Sequence, residues 1–599
     1  MPPEKLLPYP DCWSSTDEYV DSLLEFAVTS DLFQILCGGV HILDFFTHEP
    51  GIFHNAIPAD WRPFLLQCDP MRLLDVLMRE DLDHPSDLPA PPQSMVEYIR
   101  DVRRFALARE FTPQQKKLPK LTRLVSVGMS PKKIHEVSNF ASYVDKLAGD
   151  IADDIGGDVT HFVDFGSGQN YLGRALASAP YNKQIVAVEG REHNIAGARE
   201  LDVLAGITDM PKIIRNKKLY IEHLGSTTPE NQGEEQKTVK QTVESTKVHG
   251  DYVVDFRTRR ELQTIYKPDD GRGFIRYIDG RLESGDLSDV VAQLEASPTL
   301  EDEQTRGLRL MAISIHSCGN LTHHAIRSLI LNPRIQAIAI VGCCYNLLTE
   351  RLGPPTYKHP YMRPSLQALN GRVIRESQRR DPTGFPMSDR FCNYRDMGIR
   401  QNITARMMAC QAPYNWTRAE SDNFFNRHFY RAVLQKIFLD RGVITKIYHN
   451  GHIPQEGDAA DDSPFNSSTK PVIIGSLRKS CYASFRAYVR GAIKKLTTHS
   501  DYREHCAIIQ DKMADISDDE IARYEADLLP RKRELSAIWS LMAFSATVVE
   551  SLIVTDRWLF LRQHSDLVRS CWVEPVFDYK LSPRNLVVVG VKNSPQPLS

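Results

Sequence analysis

Hydrophobic positions along the chain fall into two alternating kinds of stretch, short unbroken apolar runs and longer segments with apolar residues at every third or fourth place. The run His161–Phe165, with Asp164 near its end, suits a buried parallel strand. Residues 171–179 then carry Leu172, Ala175, Leu176 and Ala179 at helical spacing. A second apolar run at 184–188 stops at Glu189, residues 193–205 read as the next helix, and 218–224 as a third strand. The alternation returns with a strand at 310–316, a helix at about 321–331 and a strand at 335–341. Near the end, 572–577 and 585–591 read as a strand hairpin around a turn at 580–584. Strand and helix in alternation predict an α/β fold with a doubly wound sheet.

Between and around these runs the pattern is helical or polar. Residues 15–109 read as amphipathic helices, with Tyr19, Leu23, Phe26 and Ala27 on one face and Met71, Leu74, Val76 and Leu77 on another. Just before the first strand, Ser130 and Pro131 supply a cap and a first-turn proline for a helix expected to bury Ile134, Val137 and Ala141. Lys132, Lys133, His135 and Glu136 then form a charged first turn, lying over a cofactor site or simply solvated. Residues 225–248, rich in Ser, Thr, Glu, Gln and Lys, predict a disordered insertion, and 251–307 are irregular with weak strand signals at 252–256 and 273–278. Prolines at 354, 355, 360 and 364 make 345–400 a candidate lid; 405–416 and 424–439 read as helices, and 456–468 as a polar linker.

In 478–496 the apolar face is Tyr482, Phe485, Val489 and Ile493, and Arg486, Arg490 and Lys494 form a basic stripe beside it. Such a stripe either grips phosphates or is the solvated side of an amphipathic helix. Ser517 and Glu520 form a capping box, with Ile516 and Ile521 as a staple, and that helix ends near Pro530. The expected organisation is a helical N-terminal domain 1–115, a core 116–344 interrupted at 225–307, a large helical insertion and lid 345–563, and strands 564–599 that complete the core sheet.

Composition narrows the setting. With 599 residues, 42% hydrophobic and 25% charged, the chain can bury a sizeable core in more than one domain, and its net charge of −3 demands neither a polyanion nor a membrane partner. Eleven cysteines without a repeating spacing suit a reducing compartment. The first residues carry neither a signal nor a transit pattern, and the most apolar uncharged runs, 335–349 and 535–549, are short for a bilayer. The expectation is a cytoplasmic or nuclear protein, not secreted and not membrane-bound, with the N-terminal helices a candidate surface for a protein partner.

Candidate chemistry gathers at the strand ends. Gly166 and Gly168, between strand and helix, permit a tight turn and close approach of a ligand. Strand, glycine loop, helix, strand and acid make the first half of a nucleotide-binding sheet, or, more plainly, an ordinary α/β turn. The third position of the dinucleotide fingerprint is Tyr171, whose bulk disfavours NAD or FAD and leaves S-adenosylmethionine, with Glu189 accepting from its ribose hydroxyls. After the later strands stand His316, Ser317, Cys318 and Asn320, then Cys343, Cys344 and Tyr345. Zinc is one reading of His and Cys together, but Cys343 and Cys344 are adjacent rather than spaced C-x-x-C, so no metal is expected. His316 is the candidate for orienting or deprotonating an acceptor, with Cys318 beside it and Lys133 a second candidate.

Taken in order, MSPKKIHEV, VDFGSGQNYLGRAL, VAVEG, HSCGNL, GCCYNLLTE and SPRNLVVVGVK resemble the methyltransferase-like 25 family over roughly residues 120–592. Some of its members are named as ribosomal RNA adenine dimethylase domain-containing proteins. The H-x-C-G and C-C pair is also similar to a family of tRNA ribose 2′-O-methyltransferases. The resemblance implies a Rossmann-like class I methyltransferase using S-adenosylmethionine, with Asp164, Gly166, Ser167 and Gly168 as the cofactor loop and Glu189 as the ribose acid. The chain departs from the usual pattern by placing Gln169 and Asn170 before Tyr171, and HSCG where adenine N6 enzymes usually carry an Asn- or Asp-Pro-Pro-aromatic motif. RNA is the expected acceptor of an in-line transfer in which the protein positions the reactants and excludes water. A protein side chain as acceptor, and a degenerate scaffold, are the alternatives.

Overall fold

The computed structural model describes residues 2–48, 51–83, 89–113, 118–208, 273–280, 282–295, 307–352, 380–448 and 467–593. Its strands are β1 His161–Phe165, β2 Gln184–Glu189, β3 Phe274–Asp279, β4 Leu310–Cys318, β5 Ile335–Cys343, β6 Lys446–Tyr448, β7 Ser467–Thr469, β8 Val568–Pro575 and β9 Leu586–Lys592. Seven of them form one sheet in the order β3-β2-β1-β4-β5-β9-β8, and β6 pairs with β7 separately. The chain divides into a smaller compact unit, residues 119–141 and 161–281, and a larger one, residues 1–118, 142–160 and 282–599.

In the smaller unit β1, β2 and β3 are parallel, with Phe162 opposite Ile185 and Ile185 opposite Ile275. Every residue of β1 is buried, as expected of a parallel strand covered on both faces. The helix after the glycine loop, Tyr171–Ala177, stops two residues short of the expected end, because Pro180 biases the residue before it away from helical backbone. The expected third strand at 218–224 and the polar insertion 225–248 lie outside the described residues, as does 252–256. The observed third strand is Phe274–Asp279, where only Ile275 and Ile278 are buried. An edge strand with one neighbour has little periodicity to betray it.

In the larger unit β4 runs parallel to β5, and the C-terminal hairpin forms as expected, with β9 antiparallel to both β5 and β8. The core is the 31-residue helix Lys532–Arg562, buried along nearly its whole length. It is long and apolar enough to cross a bilayer, yet 94% of its most apolar window is covered by protein. Residues 1–118 fall within this larger unit. Tyr98 Oη lies 2.7 Å from Ser545 Oγ, and the Leu107 N–H donates to Ser551 Oγ at 2.9 Å.

The insertion is helical, with Ile403–Ala409, Arg418–Asp440, Phe485–Thr498, Arg503–Met513 and Asp518–Leu528. The second of these starts earlier than its apolar pattern, because Thr417 and Glu420 make a full capping box. The expected box at Ser517 is half made: its hydroxyl accepts from Glu520 N at 3.1 Å, while the Glu520 carboxylate turns to Arg441. In Phe485–Thr498 the buried face is Phe485, Tyr488, Val489, Ala492 and Leu496, and the stripe residues Arg486 and Arg490 both pair with Asp518.

Candidate functional site

In the smaller unit, β1 leads into a turn that L-residues disfavour, with φ of 64° at Gly166 and 59° at Gly168. The Gly166 N–H donates to Val188 O at 2.9 Å, tying the turn to β2. A Cβ on Gly168 would meet nothing nearer than Gly166 O at 4.0 Å, so that side of the loop is open to a ligand. At the end of β2, Glu189 Oε2 accepts from the Gly168 N–H at 2.8 Å and Oε1 from the Arg191 N–H at 3.0 Å. A carboxylate has about four lone-pair sites, so two remain for another donor. Ser167 Oγ is buried without a hydrogen-bond partner among the described residues.

Tyr171, expected to crowd the helix start, directs its hydroxyl to Gln169 Oε1 at 2.8 Å and Gly128 O at 3.2 Å. Its ring packs beside Val125, Val137 and Ala175, so its bulk serves to hold the segment before residue 131 against the loop.

Two further carboxylates of this unit, Asp164 and Glu136, are buried. Asp164 is 4% exposed, and burial pushes its carboxyl up to about 8, with Lys133 opposing the shift and Glu189 adding to it. Glu136, expected in a solvated turn, is fully buried, and Lys133 Nζ lies 2.8 Å from its Oε2. The face of the helix Pro131–Asp150 is therefore turned from the expected one: Ile134 is 37% exposed, while Glu136, Val137, Phe140 and Ala141 are inside. Phe140, the larger apolar group, sets the buried side. Lys133 thus stands as counter-ion to the acids of the glycine-loop unit.

Behind the loop lies a network that no motif announced. Arg174 Nε donates to Asp202 Oδ1 at 2.9 Å with both side chains fully buried, Tyr277 Oη donates to Asp202 Oδ2 at 2.6 Å, and Asn170 Nδ2 donates to Tyr277 Oη at 3.0 Å. Arg174 Nη2 also donates to Gln169 O at 2.8 Å. Its members come from three elements far apart in sequence, and only folding makes them neighbours.

In the larger unit the pairing of β4 with β5 skips a residue between Ile315 and Ser317, so His316 is a bulge, with φ of 62°. The bulge brings Cys318 opposite Cys343. Successive strand side chains point to opposite faces, but Cys344 adopts left-handed backbone, φ 48°, which breaks the alternation. Both adjacent cysteines consequently turn toward Cys318, with Sγ–Sγ distances of 3.4 Å for 318–343, 3.2 Å for 318–344 and 3.5 Å for 343–344. The Cys344 thiol is held down to about 3 by hydrogen bonds from Cys318 and then Cys343, and Cys343 is pushed up by its bonds to the same two neighbours. Adjacent Cys343 and Cys344 thus reach one common neighbour despite lacking the C-x-x-C spacing.

Residues 132–351 match a family model described as a methyltransferase domain. The probable methyltransferase-like protein 25 of Homo sapiens is 27% identical over 319 residues, which is 52% of this chain and 41% of that protein. The corresponding Mus musculus protein is 25% identical over 324 residues, 52% of this chain and 42% of that one. The matched region is thus less than half the length of these curated relatives. No solved structure matches the chain. The chain carries a methyltransferase domain over residues 132–351 and is homologous, over about half its length, to the methyltransferase-like 25 proteins.

Proposed function

We propose that this chain is an S-adenosylmethionine-dependent methyltransferase whose acceptor is RNA. The observation that carries the cofactor half is the loop of Gly166, Ser167 and Gly168, open on one side, led into by Asp164 and hydrogen-bonded to Glu189. That donor set fits the group: a cation with an ammonium and a ribose diol suits buried carboxylates and an unpartnered hydroxyl. When bound, S-adenosylmethionine supplies a methyl on a positively charged sulfur. Asp164 and Glu136 hold the charge, the free lone pairs of Glu189 accept from the diol, and Ser167 Oγ gains its missing partner. His316, half-buried on its bulge at the carboxyl end of β4, is the residue we assign to orienting the acceptor.

RNA as acceptor is supported by the motif order alone, and the pairing of Arg486 and Arg490 with Asp518 lends it nothing. The test is transfer of a labelled methyl from S-adenosylmethionine to total RNA and to a protein extract. Nuclease-sensitive label that vanishes in Glu189→Ala is the expected result. Label that resists nuclease and yields to protease overturns the RNA half, and binding without any transfer makes the chain a scaffold.

A further inference from the structure

The three converging thiols of the larger unit carry a claim independent of the acceptor's identity. Among the described residues no other set of three His, Cys, Asp or Glu side chains comes together within 4.8 Å. Sulfurs bound to tetrahedral zinc at about 2.3 Å lie about 3.8 Å apart. The observed 3.2–3.5 Å separations need open by only a few tenths of an ångström to admit an ion. Cys343 is buried, Cys344 is half-buried and Cys318 is exposed, which leaves an entry path through Cys318.

A second observation points the same way. Arg557, 1% exposed, has its Nε and Nη2 without hydrogen-bond partners among the described residues. It presses so closely on the strand end that a side chain at Gly342 would collide with its Nη1. Neighbouring acids are already engaged: Asp556 accepts from Met387 N, Ser388 N and Ser388 Oγ at 2.6–2.9 Å, and Glu550 accepts from Tyr345 Oη at 2.6 Å and is ion-paired with Arg109 and Arg584, each at 2.6 Å. A buried guanidinium with idle donors is costly unless anionic groups lie beside it. Beside three thiolates holding one Zn²⁺, whose net charge is minus one, it is compensated.

We propose that Cys318, Cys343 and Cys344 bind one zinc ion as three thiolates, with Arg557 as the buried counter-charge. Three protein ligands leave one coordination position open, the pattern of a reactive rather than a closed structural site. On binding, the thiols still protonated pass their protons to solvent and each sulfur donates a lone pair to the ion, with no change of oxidation state.

The test uses the full chain, stripped with a chelator, reloaded with zinc sulfate and desalted. The expected zinc content is about one ion per chain, falling to near zero in Cys318→Ser and in the double variant Cys343→Ser with Cys344→Ser, and unchanged in Cys12→Ser. Because those variants risk misfolding, a second readout is taken on the unaltered chain. Iodoacetamide should label Cys318 in the stripped protein and be blocked at Cys318 after zinc is restored. Zinc retained by the cysteine variants, equal labelling of Cys318 with and without zinc, or recovery of these cysteines as a disulfide would each overturn the assignment.

Discussion

Asp164 titrates near 3.8 in the unfolded chain and is pushed up to about 8 in the fold, first by burial. Between those values the folded state keeps a proton that the unfolded state has lost. The stability this group contributes is complete below about pH 4 and is lost as pH rises through about 8. Asp164→Asn cannot ionise, so urea midpoints for that variant should lose this downward slope, and an unchanged slope would count against the assignment. A cationic ligand must also pull that proton off. Its affinity should therefore rise with pH by up to about tenfold per unit as far as pH 8 and level off above, and calorimetry in buffers of different ionisation heat should record proton release. The places of the loop glycines, Asp164 and Glu189 at the strand ends could be read from the sequence because strand alternation and turn chemistry are local. Glu136 and the convergence of Cys343 with Cys344 could not, since one depends on which apolar residue wins the helix face and the other on a single left-handed residue.

The helix Tyr171–Ala177 is anchored through Arg174, whose ion pair with Asp202 is closed to water. Removing one partner of such a pair leaves a bare buried charge, so Arg174→Leu should lower stability by about 3–5 kcal/mol in chemical denaturation. Asp202→Asn keeps the hydrogen bonds in outline and should cost less. Loss below about 1 kcal/mol for Arg174→Leu would mean that the network does not hold the loop. Helices with strong local signals, such as Asp518–Leu528 with Ser517 at its cap, fall where the sequence predicts. The edge strand Phe274–Asp279 was faint because pairing on one side buries too few residues to make a period.

The larger unit is built on Lys532–Arg562, and the N-terminal helices complete its cover. No sequence boundary could reveal this, since the partners of Tyr98 and Leu107 lie more than 400 residues away. Trp558, fully buried with its Nε1 donating to Cys571 O at 3.1 Å, should cost about 3–5 kcal/mol as Trp558→Ala, read by thermal or urea unfolding. Whether the glycine loop holds the methyl donor is tested most directly by calorimetric titration of the full chain with S-adenosylmethionine. Saturable binding is expected, weakened about ten- to hundredfold in Glu189→Ala through lost hydrogen bonds to a charged acceptor, and abolished in Gly166→Arg with the circular dichroism unchanged. Absence of binding to the unaltered chain, or equal binding to Gly166→Arg, would contradict it.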